Sequence, residues 1–302
     1  MKVPDDAMRS TFVSKDGEAI GLLAGWGRYP LVVAEALRRR GHRVVALGVR
    51  DHADPALVEM CDEFKWIGLA TVGGAIRQFR RWGATRAVMA GKIHKVMFYH
   101  PRWWLRHRPD WTALRTFRHF LTGRRDRKDD SLLIALVEAY AAGGVHFEPA
   151  TNFAPELLVQ PGQVAGRPLS ARQLLDVEFG WKMAKQMGAL DVGQAVCVKD
   201  QAVLAVEAIE GTDACIRRAG ELCRQGGFTV VKVAKPQQDM RFDVPTVGVN
   251  TLETLAAAGG RILAIEADRT ILLDAKVFQD AAARLRLSVV ALRKESLAAR
   301  AA

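Results

Sequence analysis

Several features are scarce in this 302-residue chain, and each scarcity closes off a class of explanation. No run of about 18 apolar residues free of charge occurs, so a membrane-spanning helix is not expected. Cysteine is rare: Cys61, Cys197, Cys215 and Cys223 lie far apart or in apolar-periodic stretches, with no C-x-x-C pair. That spacing suggests neither a zinc site nor a disulfide framework, and a reducing cytoplasm suits it best. The opening residues MKVPDDAMRSTFVSKDGE are polar and include acids, unlike a secretory signal, and they read as a loose extension. Internal repeats and low-complexity tracts are also missing.

What is present is the balance of a soluble globular protein, 49% apolar and 25% charged, with length enough for about two domains. The net charge of +11 is concentrated. Between Phe98 and Lys128, Arg102, Arg106, Arg108, Arg115, Arg118, Arg124, Arg125, Arg127 and Lys128 face only Asp110 and Asp126. The same stretch carries Tyr99, Trp103, Trp104, Trp111, Phe117 and Phe120. Cations interleaved with aromatic rings suit nucleic-acid stacking or an anionic membrane interface, and they equally suit a helix that buries its rings and solvates its arginines. No RNA- or DNA-binding motif accompanies them.

From Ala19 the chain alternates a buried strand, a glycine turn, an amphipathic helix and a second strand at Val44–Val49. A helix near Val72–Trp82 and a strand at Arg86–Ala90 continue the pattern, which is that of a parallel, Rossmann-like α/β sheet. Asp129 or Asp130 is placed as the N-cap of the next helix. The Pro- and Gly-rich stretch PATNFAPELLVQPGQVAGRPLS sets a boundary near residue 150, giving domains at 19–150 and 151–297. The second half reads as a further α/β mixture. It has a helix over Ala171–Met187, strands at Gln194–Lys199, Ala202–Ile209 and Thr229–Ala234, helices at Thr212–Arg224 and Ala275–Leu285, and a frayed tail from Lys294.

Gly25-Trp26-Gly27 stands where a dinucleotide fingerprint would begin, but Pro30 occupies the third glycine position. Asp51 lies where a ribose-binding acid would be. An NAD(P)-dependent oxidoreductase is therefore one alternative; backbone N–H groups of the turn approaching a phosphate, or a purely structural turn, are others. The turn AGKIHK offers Lys92, His94 and Lys95 at a strand end, to a phosphate or only to solvent. In the second half Asp191, Glu207, Glu210, Asp213, Asp239 and Asp243 fall at predicted strand ends and turns, with Lys232, Lys235 and Arg241 beside them. Asp213 after Gly-Thr is also an obvious cap candidate. Oxygen-rich clusters suit magnesium or manganese, and cations counter phosphate charge, so these are the parts of a phosphoryl-transfer or pyrophosphate-cleaving site.

The phrases LLAGWGRYP, AGKIHK, RKDDSLL, ALDVGQAVCV, LAVEAIEGTDACIRRAG and KVAKPQQDMRFDVPTVGVNTLE, in that order from about Ile20 to Leu292, resemble the LpxI-type UDP-2,3-diacylglucosamine pyrophosphatases. The resemblance implies an N-terminal Rossmann-like domain and a second α/β domain, with the lipid substrate held between them. It implies hydrolysis of UDP-2,3-diacylglucosamine to 2,3-diacylglucosamine 1-phosphate (lipid X) and UMP in the lipid A pathway of Gram-negative bacteria. A divalent cation, Mg2+ or Mn2+, and attack on the phosphorus nearer the sugar are implied as well. The family's key aspartate matches Asp243 in Arg241-Phe242-Asp243-Val244-Pro245, with Asp239 the lesser candidate.

Under this reading Asp243, Lys235 and Arg241 are the catalytic set. Gly25, Gly27, Lys92, Lys232, Asp191 and Gln194 contact substrate, and Asp243, Glu207 and Asp213 hold the metal. The expected location is cytoplasmic, with peripheral contact at the inner leaflet, no nucleic-acid partner, and a homodimer as one assembly. A basic nucleic-acid or membrane-binding module centred on 98–128 is the non-enzymatic alternative. The N-terminal extension and that segment are departures from the family pattern.

Overall fold

The computed structural model describes residues 18–93, 107–121 and 129–296, apart from the side chains of residues 119, 121, 129 and 130. His94, Lys95, most of the basic aromatic stretch, the N-terminal extension, the end of the C-terminal tail and the capping side chains of Asp129 and Asp130 lie outside the described residues. The chain divides after Ala154 into two compact units.

In the first unit β1 (Ala19–Ala24), β2 (Arg43–Val49), β3 (Glu63–Ile67), β4 (Arg86–Ala90) and β5 (His146–Phe147) form one sheet in the order β3-β2-β1-β4-β5. Every pairing is parallel, with Ile20 between Val44 and Arg86. Parallel strands covered on both faces need continuous apolar runs rather than alternation, and Val44, Val45, Ala46 and Leu47 are all fully buried. Helix α1 (Tyr29–Arg39) follows the glycine turn with Pro30 in its first turn, where a missing N–H costs nothing. Helix α3 (Val72–Arg81) follows β3, after the single-turn α2 (Leu57–Met60). The next described helix, Trp111–Leu121, buries Ala113 and Phe120 while Trp111 stands 80% exposed.

The N-termini of α3 and of the Trp111–Leu121 helix share one cap. Asp110 Oδ2 accepts the Gly74 N–H at 2.8 Å and its Oδ1 accepts the Ala113 N–H at 3.0 Å. One carboxylate thus answers orphan donors of two helices.

The second unit is built on a six-stranded sheet ordered β6-β13-β11-β9-β7-β8: β6 Gly162–Ala165, β7 Ala195–Lys199, β8 Ala202–Val206, β9 Thr229–Lys232, β11 Ile262–Glu266 and β13 Ser288–Leu292. A small parallel pair, β10 (Thr246–Val247) with β12 (Ile271–Leu272), lies apart from it. Strands β9, β11 and β13 run parallel, whereas β7 is antiparallel to β9 and to β8. Alternate residues go to opposite faces. Val196, Val198 and Val231 pack with Val177, Trp181 and Ala184 of the helix Ala171–Ala189. Cys197, Val230, Leu263 and Ile265 pack on the other face with the helices Thr212–Leu222, Val249–Ala257 and Ala275–Arg284. Ser170 and Gln173 close a reciprocal capping box at the start of the 171–189 helix. The α/β expectation thus describes both units. All four cysteines are free, and Cys197 and Cys215 meet in the core at 3.9 Å.

Candidate active site

The antiparallel β7 explains why so many polar residues gather at one edge of the second sheet. Ala195 at the start of β7 lies opposite Lys232 at the end of β9, and Val196 pairs with Val206 at the end of β8. Lys232 also neighbours Ile265, next to Glu266 at the end of β11. The carboxyl ends of three strands and the amino end of a fourth therefore share an edge, the place where open α/β sheets hold ligands. The loop from Val233 to Pro245 rises from it.

Lys232 is buried, and its ammonium donates to Thr212 Oγ1 and to the Thr246 carbonyl oxygen, both at 3.2 Å. The Thr212 hydroxyl donates to Glu207 Oε1 at 2.7 Å, and Glu207 Oε2 accepts the Gln194 N–H at 3.2 Å. Gly193 makes this approach possible, because a Cβ there would collide with the Glu207 carbonyl oxygen. Burying a lysine and a glutamate is tolerable only when such bonds replace water.

Around that network each cation has an acid. Lys235 Nζ donates to Asp191 Oδ1 at 2.7 Å, and the Lys235 N–H donates to Gln238 Oε1 at 2.7 Å. The Arg241 guanidinium forks onto Asp239, with Nε 2.9 Å from Oδ1 and Nη2 2.6 Å from Oδ2. These donors, with the Arg241 N–H, hold the Asp239 carboxyl below its ordinary range. The Asp239 carbonyl oxygen accepts the Asp243 N–H at 3.0 Å, which fixes Asp243, half-buried, on the same turn. Glu266 and Lys185 form a further pair at 2.7 Å; Lys185 also donates to the Ala234 carbonyl oxygen and Glu266 accepts the Ala234 N–H. The backbone leaving β9 is thereby clamped on both sides.

The predicted metal set does not assemble. Among the described residues no group of three or more His, Cys, Asp or Glu side chains is placed to hold an ion. Glu207 is engaged by Thr212 and Gln194, and Asp213 accepts from Asn250 Nδ2 at 2.8 Å, so these two are not gathered with Asp243 as a triad. Nor is Asp213 the cap: Gly211, with φ of 82°, holds that position and Asp213 falls in the first turn.

Gly25, Gly27 and Lys92 belong to the first unit, where β1 and β4 part. The Gly25 N–H donates to the Ala90 carbonyl oxygen, and Trp26 and Lys92 exchange backbone bonds at 2.8 and 2.9 Å. A Cβ on Gly25 would lie 2.8 Å from the Lys92 carbonyl oxygen. The glycine therefore lets two turns touch and its N–H is taken by the chain itself, which agrees with the structural turn among the sequence's alternatives and not with an N–H turned to a phosphate. Gly27, at φ of 106°, does face open space. Asp51, the candidate ribose acid, lies 3.5 Å from the Nε2 of His107. His107 is buried, and its Nδ1 accepts the Leu69 N–H at 3.0 Å; burial lowers its pKa.

The comparisons decide among the readings. Residues 19–157 match the model of the LpxI N-terminal domain, and residues 160–290 match the LpxI C-terminal domain. The chain belongs to the LpxI family. A relative named UDP-2,3-diacylglucosamine pyrophosphatase LpxI, from Caulobacter vibrioides, is 29% identical over 280 residues, covering 90% of this chain and 96% of its own. Among solved structures, the biotin carboxylase domain of Hydrogenobacter thermophilus 2-oxoglutarate carboxylase aligns at 15% identity over 69% of this chain and 41% of that one. Its TM-score of 0.24 is too low to inform the fold. Among the described residues of this LpxI-family chain, no helix is long and apolar enough to cross a membrane.

Sequence reasoning missed Lys185, Glu266, Thr212 and Gln238. Glu266 had a signal, an acid at the end of the apolar run RILAIE, the same signal that singled out Glu207. Lys185 had none, since its role depends on a strand 81 residues away.

Proposed function

We propose that this chain hydrolyses the pyrophosphate bond of UDP-2,3-diacylglucosamine, releasing UMP and 2,3-diacylglucosamine 1-phosphate in lipid A biosynthesis, with Mg2+ or Mn2+ as cofactor. The observation that carries the reading is the match to both LpxI domains, with Lys232 at the end of β9 and Lys235, Arg241 and Asp243 on the loop that follows it. A pyrophosphate diester resists hydrolysis because its charges repel a nucleophile, so catalysis needs fixed positive charge and a positioned water. Lys232 cannot swing away, being held by Thr212 and Thr246. Lys235 and Arg241 carry their charge at set positions through Asp191 and Asp239.

Asp243 holds or orients the attacking water, or serves as a metal ligand. The residues fit a metal bound in the sparse manner usual for magnesium with phosphates, one or two protein carboxylates and the remaining ligands from substrate and water. That mode needs no triad. Bound there, the ion would supply neutralisation of phosphate charge. Water adds its oxygen to the phosphorus nearer the sugar, the anhydride P–O bond breaks, and UMP departs. Because the substrate carries two acyl chains, the protein works at the cytoplasmic face of the inner membrane by peripheral contact.

The test is incubation of purified protein with UDP-2,3-diacylglucosamine and Mg2+ in 18O-labelled water, with products read by mass spectrometry. UMP and the lipid 1-phosphate are expected, with the label in the lipid phosphate. Asp243→Ala is expected to lose activity while keeping its circular dichroism spectrum. Absence of turnover by the parent protein rejects the assignment, and label in UMP rejects the stated point of attack.

A further inference from the structure

The carboxyl edge of the first sheet holds a pocket that the proposed chemistry does not use. Just past β2 and along β3 a cavity of about 250 Å3 is lined by Arg50, Lys65, Trp66 and Arg108, with Thr71 and Gln78 of the α3 region. Its charged lining is three cations and no carboxylate. Arg50 and Arg108 form no ion pair among the described residues, in contrast to nearly every cation at the edge of the second sheet. The pocket is also constructed. Gln78, buried on α3, accepts from Lys65 Nζ at 2.9 Å and holds that ammonium in place. Trp66 is braced edge-on by Phe64 at 4.9 Å and 77°. The N-terminus of α3 is already capped by Asp110, so an anion would be bound by the side chains and not by the helix end.

Arg50 and Trp66 also border a second, more open depression of about 540 Å3, whose other walls include Asp51, Ala53 and Pro55. One side is thus cationic and the other apolar with a single carboxylate, with an aromatic wall common to both. A nucleotide has this division: a phosphate, a flat base and ribose hydroxyls that donate to a carboxylate.

We propose that the Arg50–Lys65–Arg108 pocket binds the phosphate of a nucleoside monophosphate, with the base against Trp66 and the ribose toward Asp51. The claim does not rest on the hydrolytic function. Clustered cations without acids raise the local potential, which favours an incoming anion and makes its binding sensitive to salt.

The test uses the full chain. Uridine and adenosine 5′-monophosphates, inorganic phosphate and uridine are titrated by calorimetry at low salt, and the Trp66 indole signal, assigned by Trp66→Phe, is followed by NMR. Both nucleotides are expected to bind, to shift the Trp66 signal and to weaken as salt rises; inorganic phosphate should bind at least tenfold more weakly and uridine hardly at all. Arg50→Ala/Arg108→Ala is expected to weaken nucleotide binding at least tenfold with an unchanged melting curve, and Lys235→Ala to leave it intact. If the double variant unfolds, the single variant Arg108→Ala carries the same expectation of a measurable loss. Nucleotide affinity equal to that of inorganic phosphate overturns the proposal. So does a Trp66 signal that stays put at saturation, or binding lost in Lys235→Ala and kept in the folded arginine variants.

Discussion

The two sheet edges use the same cationic residue types under opposite electrostatic arrangements. At the edge of the second sheet Lys185, Lys235 and Arg241 each meet a carboxylate, at 2.7, 2.7 and 2.6 Å. At the edge of the first, Arg50 and Arg108 meet none among the described residues, and Lys65 meets only an amide. Paired charges are held in position at little cost in mutual repulsion, and the pair as a whole attracts an anion weakly. They suit a ligand that arrives with a divalent cation, where both signs of charge find partners. Unpaired charges draw anions outright and relinquish them as salt rises.

The largest expected effect comes from Asp243, the carboxylate proposed to act on the water or the metal. Asp243→Ala should lower kcat by about 10²–10³-fold or more, the loss typical of removing one group that acts on developing charge. Steady-state kinetics with intact substrate is the measurement, and activity within a factor of two of the parent would remove Asp243 from the chemistry.

Breaking the most buried pair is expected to act on stability. Glu266→Gln leaves Lys185 without its counter-charge and weakens the hold on Ala234, for a loss of about 2–3 kcal/mol after allowance for partial exposure. Urea unfolding reads this as a lower midpoint at unchanged slope. A midpoint like the parent's would mean that the pairing is decorative. Lys235→Ala sits between structure and function: Asp191 loses the Lys235 ammonium, and kcat/KM should fall by about tenfold, roughly one charge-assisted hydrogen bond.

The smallest effect concerns Asp239. Its carboxyl is held low by Arg241, so its stabilising contribution is complete above the unfolded carboxyl pKa and is lost as pH falls through the lower folded value. Asp239→Asn should therefore flatten the acid side of the Tm–pH curve and leave the neutral side shifted by under about 1 kcal/mol, since the pair is partly exposed. An unchanged acid side would contradict the assigned cause.

Much of the fold was legible because it depends on local pattern. The apolar strands, the helix at Val72–Arg81 and the helix from Ala171 follow from periodicity and caps. One strand overran because of an apolar residue in a loop. The strand from Ala202 was carried to Ile209, yet β8 ends at Val206 and Ile209 is fully exposed. The candidate site was less legible. Asp239 and Arg241 are two positions apart and their pairing is within reach of sequence reasoning, whereas the engagement of Glu207 by Thr212 and Gln194 needs a turn whose geometry only folding defines.

The sequence by itself determined the alternation of strands and helices, the family, and which acids and bases stand at strand ends, since each depends on residue type and short-range order. Tertiary structure decided the pairing. Asp191 and Lys235 are 44 residues apart and Lys185 and Glu266 are 81. They meet because β9 lies between β11 and an antiparallel β7, which sets the start of one strand beside the ends of its neighbours, and no local pattern encodes that order.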